Sequence, residues 1–487
     1  MAWRDQPDPR DKEGTMDEGR LAGLVTQAAN SSLFDRLRGV WRDIAQSLGK
    51  TGRIDPDLGA EGLPLLRSQV LECLEGRGGE VSARAHAAAL GRSYMALTAD
   101  GRQRFLKMLA DDFGTDPSRV DEAMDAVRSA KADGDRGLAE HALRDALVSP
   151  RQMLLTQFNA LPEGVKFLVD MRAELLPLTK ADPAMKALEG DLKELLSSWF
   201  DVGFLELHRI TWRSPAIILE KIMAYEAVHA IQGWADLKNR LDSDRRLYAF
   251  FHPRMPDEPL IFVEVALVEG IAGNIHALLD QHAPVGDPGK ADTAIFYSIN
   301  NAQKGLVGIS FGNFLIKKVV DSLSHEFPNL KTFATLSPIP GFRSWLDGRL
   351  KDGEQGLLLS QETKALASVP GGDGTLAGAL ATRWHEDPQA SLALKPVLSR
   401  LCAHYLGEKR ADGRRARDPV AHFHLSNGAR MERLNWLADT SDKGIAQSAG
   451  MMINYLYKLS EIDSNHEAYS GQGKVAMSSS LRSLSKG

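Results

Sequence analysis

The chain has 487 residues, too many for one ordinary hydrophobic core, so two domains are expected. Its 59 Lys and Arg against 64 Asp and Glu leave a formal net charge of -5, which argues against nucleic acid as a partner. The two cysteines form no spacing motif, which suits a reducing compartment, and no run reaches the roughly 20 apolar residues of a membrane span.

Residues 1–20 mix Asp, Glu and Pro with Arg and read as a disordered N-terminus. They match neither a secretory nor an organellar signal, so a cytoplasmic location is expected. Residues 21–198 read as helix upon helix. Leu33, Leu37, Val40, Trp41, Ile44 and Leu48 recur at helical spacing before Gly49, and Phe105, Leu106, Leu109 and Phe113 repeat the pattern before Gly114. Such stripes bury against neighbouring helices or against another subunit, and periodicity does not separate the two. His86 and His141 apart, all 13 histidines lie after residue 199, which concentrates the chemistry in residues 199–470. Residues 471–487 read as a disordered tail.

The second part opens with Ser214 as an N-cap and Pro215 in the first turn of a helix, which Ile218, Ile222, Tyr225 and Ile231 carry to Gly233. Residues 247–251 and 260–267 read as the strands of a hairpin with a loose loop over 253–259. Next come a β-like run at 294–299, a glycine-punctuated stretch at 304–313, and residues 314–327 with apolar positions 315, 319, 320 and 323 at helical spacing. A short strand at 332–336 follows, with Ser337 its last residue before Pro338 and Pro340 forbid further pairing.

This order is strand, glycine loop, helix, strand. With the strands parallel, the loop and Ser337 share the carboxyl edge where open α/β sheets bind ligands, and Ser337 stands at a rim. The loop feeds a helix N-terminus, whose free N–H groups favour phosphate. A phosphate-bearing ligand with its reacting end near Ser337 is the first reading. Residues 347–390 read as irregular, and the PGGDGT stretch at 370–375 lacks the Lys-Ser/Thr of a P-loop, so it is read as a surface loop.

Residues 420–425, VAHFHL, alternate, which predicts a strand with His422 and His424 on one face. Two histidines at this spacing could ligate a metal, but no Cys or carboxylate cluster accompanies them, and the residues alone leave a hydrogen-bonded structural role equally open. The basic run Lys409, Arg410, Arg414, Arg415 and Arg417 reads as a solvated loop, or as a docking surface for phosphates. Gly308 to Gly312 also fits G-x-S-x-G, which would make Ser310 a hydrolase nucleophile with His424 and Asp418 or Asp439. An HGGG-like oxyanion motif is missing upstream.

Three segments in this order, GLVGISFGNFLIKKVV at 305–320, SPIPGF at 337–342 and DPVAHFHLSNGA at 418–429, resemble the malonyl-CoA decarboxylase family. The resemblance runs from about residue 199 to 457. It implies an N-terminal all-α helical bundle that mediates oligomerisation, followed by an α/β acetyltransferase-like (GNAT-like) catalytic domain. It implies decarboxylation of malonyl-CoA to acetyl-CoA and carbon dioxide, in a homo-oligomer that is a tetramer built from dimers. By motif match Ser337 and His424 form the catalytic pair, and Val307, Gly308, Ile309, Ser310, Phe311, Gly312 and Asn313 hold the coenzyme pyrophosphate.

No metal or organic cofactor is expected, because the thioester itself accepts the electrons of the breaking bond, and coenzyme A is part of the substrate. His424 is expected to donate a proton as an imidazolium, with Ser337 orienting or relaying. His422 stays structural, and Tyr455 and Tyr457 are expected to pack in the core rather than reach the site. Two other readings use the same fold: a coenzyme A-dependent acyltransferase, and a non-catalytic acyl-CoA sensor.

Overall fold

The computed structural model describes residues 37–46, 54–75, 79–131, 133–309, 314–354, 356–367 and 369–486. Residues 1–20, Leu33, Leu48 and Gly49 lie outside them. The first part is helical, as the stripes predict. Three helices start from the same local signal, an oxygen-bearing N-cap followed by proline: Asp116 before Pro117–Ser129, Ser149 before Pro150–Phe158, and Asp182 before Pro183–Trp199. In each the cap side chain accepts a backbone N–H of the first turn, and proline occupies a position whose own N–H would be unpaired. Leu37, Trp41, Phe105, Leu106, Leu109 and Phe113 are buried, whereas Val40 faces solvent. Pro117–Ser129 buries none of its residues and Asp133–Leu147 buries only Ala146, so this helical pair stands against itself.

The second part is built on one mixed sheet of eight strands: β1 Glu206–Ile210, β2 Arg245–Phe251, β3 Ile261–Val268, β4 Thr293–Asn301, β5 Thr332–Thr335, β6 Ser337–Pro338, β7 Arg430–Asn435 and β8 Met452–Leu456. The order is β1-β2-β3-β4-β5-β8-β6, with β7 on β8. β2 and β3 form the expected antiparallel hairpin. β4 and β5 are parallel, joined through the helix Phe314–Glu326 as a crossover requires.

Both faces of the sheet are covered. In β2, Leu247, Ala249 and Phe251 pack with Ile218, Leu219 and Ile222 of the helix Ala216–Tyr225, while Tyr248 and Phe250 face the opposite core. That second core is continuous from Leu37 to Leu481, so the helical part and the sheet bury apolar surface against one another. The change near residue 199 is one of secondary structure, not a gap between two cores.

Three expectations are corrected here. The helix after Pro215 stops at Tyr225, because the Glu226 carboxylate accepts the N–H groups of Val228 and His229 at 2.8 Å each and turns the chain; a separate helix, Trp234–Arg240, follows Gly233. The segment read as irregular holds the helices Phe342–Lys351, Ser360–Leu366 and Leu376–Leu380. The tail read as disordered forms the helix Ser479–Lys486, with Leu481 buried.

Candidate active site

Ser337 sits where a ladder breaks and resumes. β5 pairs with β8 at Ala334 and Leu456, and pairing returns only at Ser337 with Ile453 and Pro338 with Met452. In the gap, side chains and β4 take over the backbone groups. The Asn454 amide donates to the Thr335 carbonyl at 2.6 Å, Thr335 Oγ1 accepts the Tyr455 N–H at 3.1 Å, and Leu336 N–H donates to Phe296 at 3.0 Å. Pro338 therefore does not end the pairing as expected, since a two-residue edge segment tolerates a missing donor. Nor is Ser337 exposed at a rim: it is 5% exposed.

His424 lies on the α-helix Pro419–Ser426, not on the strand that the alternation predicts. The deciding residues are Asp418 and Pro419. Asp418 Oδ1 accepts the Ala421 N–H at 2.8 Å, Pro419 fills the first helical turn, and Asn427 with Gly428 (φ 80°) closes the helix. Residues two apart on a helix point about 200° apart. His422 accordingly faces away from His424 and meets the Tyr469 hydroxyl at 2.8 Å, while His424 faces inward.

The inward face completes a chain of polar groups. His424 Nε2 lies 3.1 Å from Ser337 Oγ, which lies 2.8 Å from Thr335 Oγ1, and His424 Nδ1 lies 2.8 Å from the Tyr457 hydroxyl. The Tyr455 ring stacks on the imidazole with centroids 4.4 Å apart. Every member is buried. Burial pushes the His424 pKa down to about 3, so the ring is neutral near pH 7. The imidazolium expected at neutral pH is thereby corrected. A neutral imidazole donates from one nitrogen and accepts at the other, so hydrogen-bond donation through the chain runs in one direction.

Asp418 reaches this site without touching the ring. Besides capping the helix, its Oδ2 accepts the Tyr405 hydroxyl at 3.1 Å, and it also accepts the Gly341 N–H. It thus ties the SPIPGF turn to the His424 helix. A Cβ at Gly341 would fall 2.1 Å from the Tyr405 hydroxyl oxygen, so only glycine lets the turn approach. Burial raises the Asp418 carboxyl above its ordinary range.

The hydrolase arrangement does not assemble at His424. Tyr457 and Ser337 engage its two nitrogens, Asp418 bonds elsewhere, and Asp439 bonds Ser441. Ser310, Phe311, Gly312 and Asn313 lie outside the described residues. Of the rest of that segment, Val307 is exposed, Gly308 has φ 77° and Ile309 is buried. The basic run forms a small hairpin in which Arg415 pairs with Asp412 at 2.5 Å and Arg417 with Glu408 at 3.1 Å.

Tyr455 and Tyr457 are buried in the core, as expected, and they also border His424; Thr335, beside Ser337, was missed. The signal available for them was a period of two: Thr335 and Ser337, like Tyr455 and Tyr457, are spaced to share one face.

Comparison with known proteins identifies the family of the chain. The family described as malonyl-CoA decarboxylase C-terminal domain matches residues 203–487, and the malonyl-CoA decarboxylase N-terminal domain matches residues 113–200. The chain is 40% identical over 402 residues to the mitochondrial malonyl-CoA decarboxylase of Rattus norvegicus, covering 79% of this chain and 81% of that protein. It is similar to the crystal structure of malonyl-CoA decarboxylase from Rhodopseudomonas palustris, at 43% identity and a TM-score of 0.79, covering 86% and 98% of the two chains. The corresponding structure from Agrobacterium vitis matches at 42% identity and a TM-score of 0.77, covering 86% and 99%.

Proposed function

The chain belongs to the malonyl-CoA decarboxylase family, carboxy-lyases that release carbon dioxide from malonyl-CoA, and on that premise we propose that a buried Ser337 and His424 pair performs this reaction. The observation that carries the reading is the 3.1 Å contact between Ser337 Oγ and the Nε2 of a neutral, buried histidine.

The bond from the malonyl methylene to its carboxylate breaks, and the electron pair moves into the thioester as an enolate. A buried site favours this by stripping water from the carboxylate. The Tyr457 hydroxyl donates to Nδ1 and so keeps the imidazole proton on Nε2, which donates to Ser337 Oγ. The serine hydroxyl then turns from Thr335 to the substrate. It polarises the thioester oxygen and delivers its proton to the methylene carbon; Nε2–H replaces that proton while the Tyr457 hydroxyl proton passes to Nδ1, so the imidazole stays neutral. Each turnover consumes one proton, which solvent restores through the same chain. Segment 307–313 holds the coenzyme pyrophosphate; its support is the entry it makes into the helix Phe314–Glu326.

The acetyltransferase-like assignment of residues 199–470 belongs to this proposal, supported by the parallel β4, loop, helix, β5 unit. So does a homo-oligomer, a tetramer built from dimers. Its support is the helical pair Pro117–Ser129 and Asp133–Leu147, which buries almost nothing and leaves Leu138 and Leu147 exposed. Among the described residues no helix is long and apolar enough to cross a membrane. A cytoplasmic location is likewise proposed, although the curated relatives are named as mitochondrial.

The test is product analysis. Malonyl-CoA alone, without an acyl acceptor, is expected to yield acetyl-CoA and carbon dioxide. Ser337→Ala and His424→Asn should each lower turnover by roughly 10² to 10⁴-fold in folded protein. Wild-type rates in either variant remove that residue from the mechanism, and a strict need for an acceptor selects the acyltransferase.

A further inference from the structure

The helical part touches the proposed coenzyme segment through one buried arginine. The helix Gly164–Leu175 is buried along most of its length, and a Cβ at Gly305 would fall 1.8 Å from the Val169 carbonyl oxygen, so the loop backbone lies directly on this helix. Arg172, 1% exposed, spreads its guanidinium over two chain segments, the loop at 305–307 and the helix Pro183–Trp199. It donates to the Gly305 carbonyl, to the Val307 carbonyl at 3.0 Å, and from Nε to Glu189 Oε1 at 3.0 Å. A planar fork can hold two loop carbonyls and one carboxylate in fixed relation, which a single ammonium cannot.

Glu189 lies on the helix Pro183–Trp199, and one turn later Lys193 comes off the same helix. Its Nζ stands 3.8 Å from where a Cβ on Gly308 would be. Lys193 is exposed and has no carboxylate partner among the described residues. A cation left unneutralised at the start of a phosphate-binding segment has a natural counterion in the substrate itself.

We propose that Arg172 is a positioning residue for the coenzyme end of the substrate and that Lys193 contacts its phosphates, so the helical part completes the substrate site as well as serving assembly. The inference rests on the reading of 307–313 as the coenzyme segment. It assigns to the first 200 residues a share in recognition that the catalytic pair does not need.

Lys193→Ala, Lys193→Arg and Arg172→Lys are tested in the full chain with malonyl-CoA and with the malonyl thioester of N-acetylcysteamine, which has no phosphate. Lys193→Ala is expected to raise KM for malonyl-CoA about tenfold, with kcat much less affected. That penalty disappears with the phosphate-free thioester, and Lys193→Arg restores KM. Arg172→Lys raises KM for malonyl-CoA more than it lowers kcat. An unchanged KM in Lys193→Ala, or an equal penalty on both substrates, overturns the phosphate contact. A lower melting temperature with unchanged KM in Arg172→Lys makes Arg172 purely structural and overturns the positioning role. Gly312→Val separates the two levels: if it leaves KM unchanged, the coenzyme reading of 307–313 fails, whereas a raised KM there beside a wild-type Lys193→Ala sinks this inference alone.

Discussion

Asp418→Ala removes an acceptor that serves four donors at once, the N–H groups of Val420, Ala421 and Gly341 and the Tyr405 hydroxyl. The helix carrying His424 loses its N-cap, a change that costs about 0.5–2 kcal/mol. The buried Tyr405 hydroxyl and the Gly341 N–H lose their acceptor, and each buried donor left unpaired costs about 1–3 kcal/mol. Against this, the variant no longer buries a carboxyl whose ionised form burial disfavours. A net loss of about 3 kcal/mol is therefore expected, a large part of the roughly 5–15 kcal/mol available to a domain. Turnover should suffer separately, because Asp418 joins the turn after Ser337 to the helix of His424, and a shift of about 1 Å between reacting groups can cost about 10²-fold. Urea denaturation gives the stability, and malonyl-CoA turnover well below the melting temperature gives the second effect. Asp418→Asn, which keeps a capping oxygen, should lose about 1 kcal/mol. The reasoning fails if Asp418→Ala loses under about 1 kcal/mol and keeps wild-type turnover.

Tyr457→Phe leaves Nδ1 of His424 without its partner and frees the ring to adopt the other tautomer; a fall in kcat of about 10-fold or more is expected, and an unchanged kcat rejects the donation chain. Burial holds His424 at a pKa of about 3 and His229 at about 4, both below the ordinary 6.5, so between those values the unfolded chain binds more protons than the folded one. Stability then rises with pH across that window and is lost on acidification, by about 1.4 kcal/mol per pH unit for each histidine. Urea midpoints taken from pH 7 to pH 4 should show this slope, and His424→Asn should reduce it. With His424 neutral, turnover should not decline as pH rises from 6 to 8; a decline would restore the imidazolium donor. Gly341→Ala should destabilise the protein through the clash with Tyr405, and adding Tyr405→Phe should recover part of the loss in melting temperature.

Local chemistry along the chain determined a good deal. The Asp-Pro and Ser-Pro helix starts, the hairpin of β2 and β3, and the β4, loop, helix, β5 order are carried by residues within a few positions of one another, where backbone sterics and side-chain caps act directly. The same locality explains the failure at 420–425. Six alternating residues fit a strand and a helix about equally, and the signal that decides is the Asp418 and Pro419 pair just outside them. Recognition of Ser337 and His424 as a pair came from motif resemblance, since they lie 87 positions apart and nothing in either segment names the other. Tertiary structure alone decided that Tyr457 meets Nδ1, that Tyr455 covers the ring, that Asp418 links the two segments without joining a triad, and that the helical part lies against the loop at 305. It also set the protonation of His424, because a pKa depends on how much water and charge surround the group once packing is complete, and that is a property of distant residues brought together.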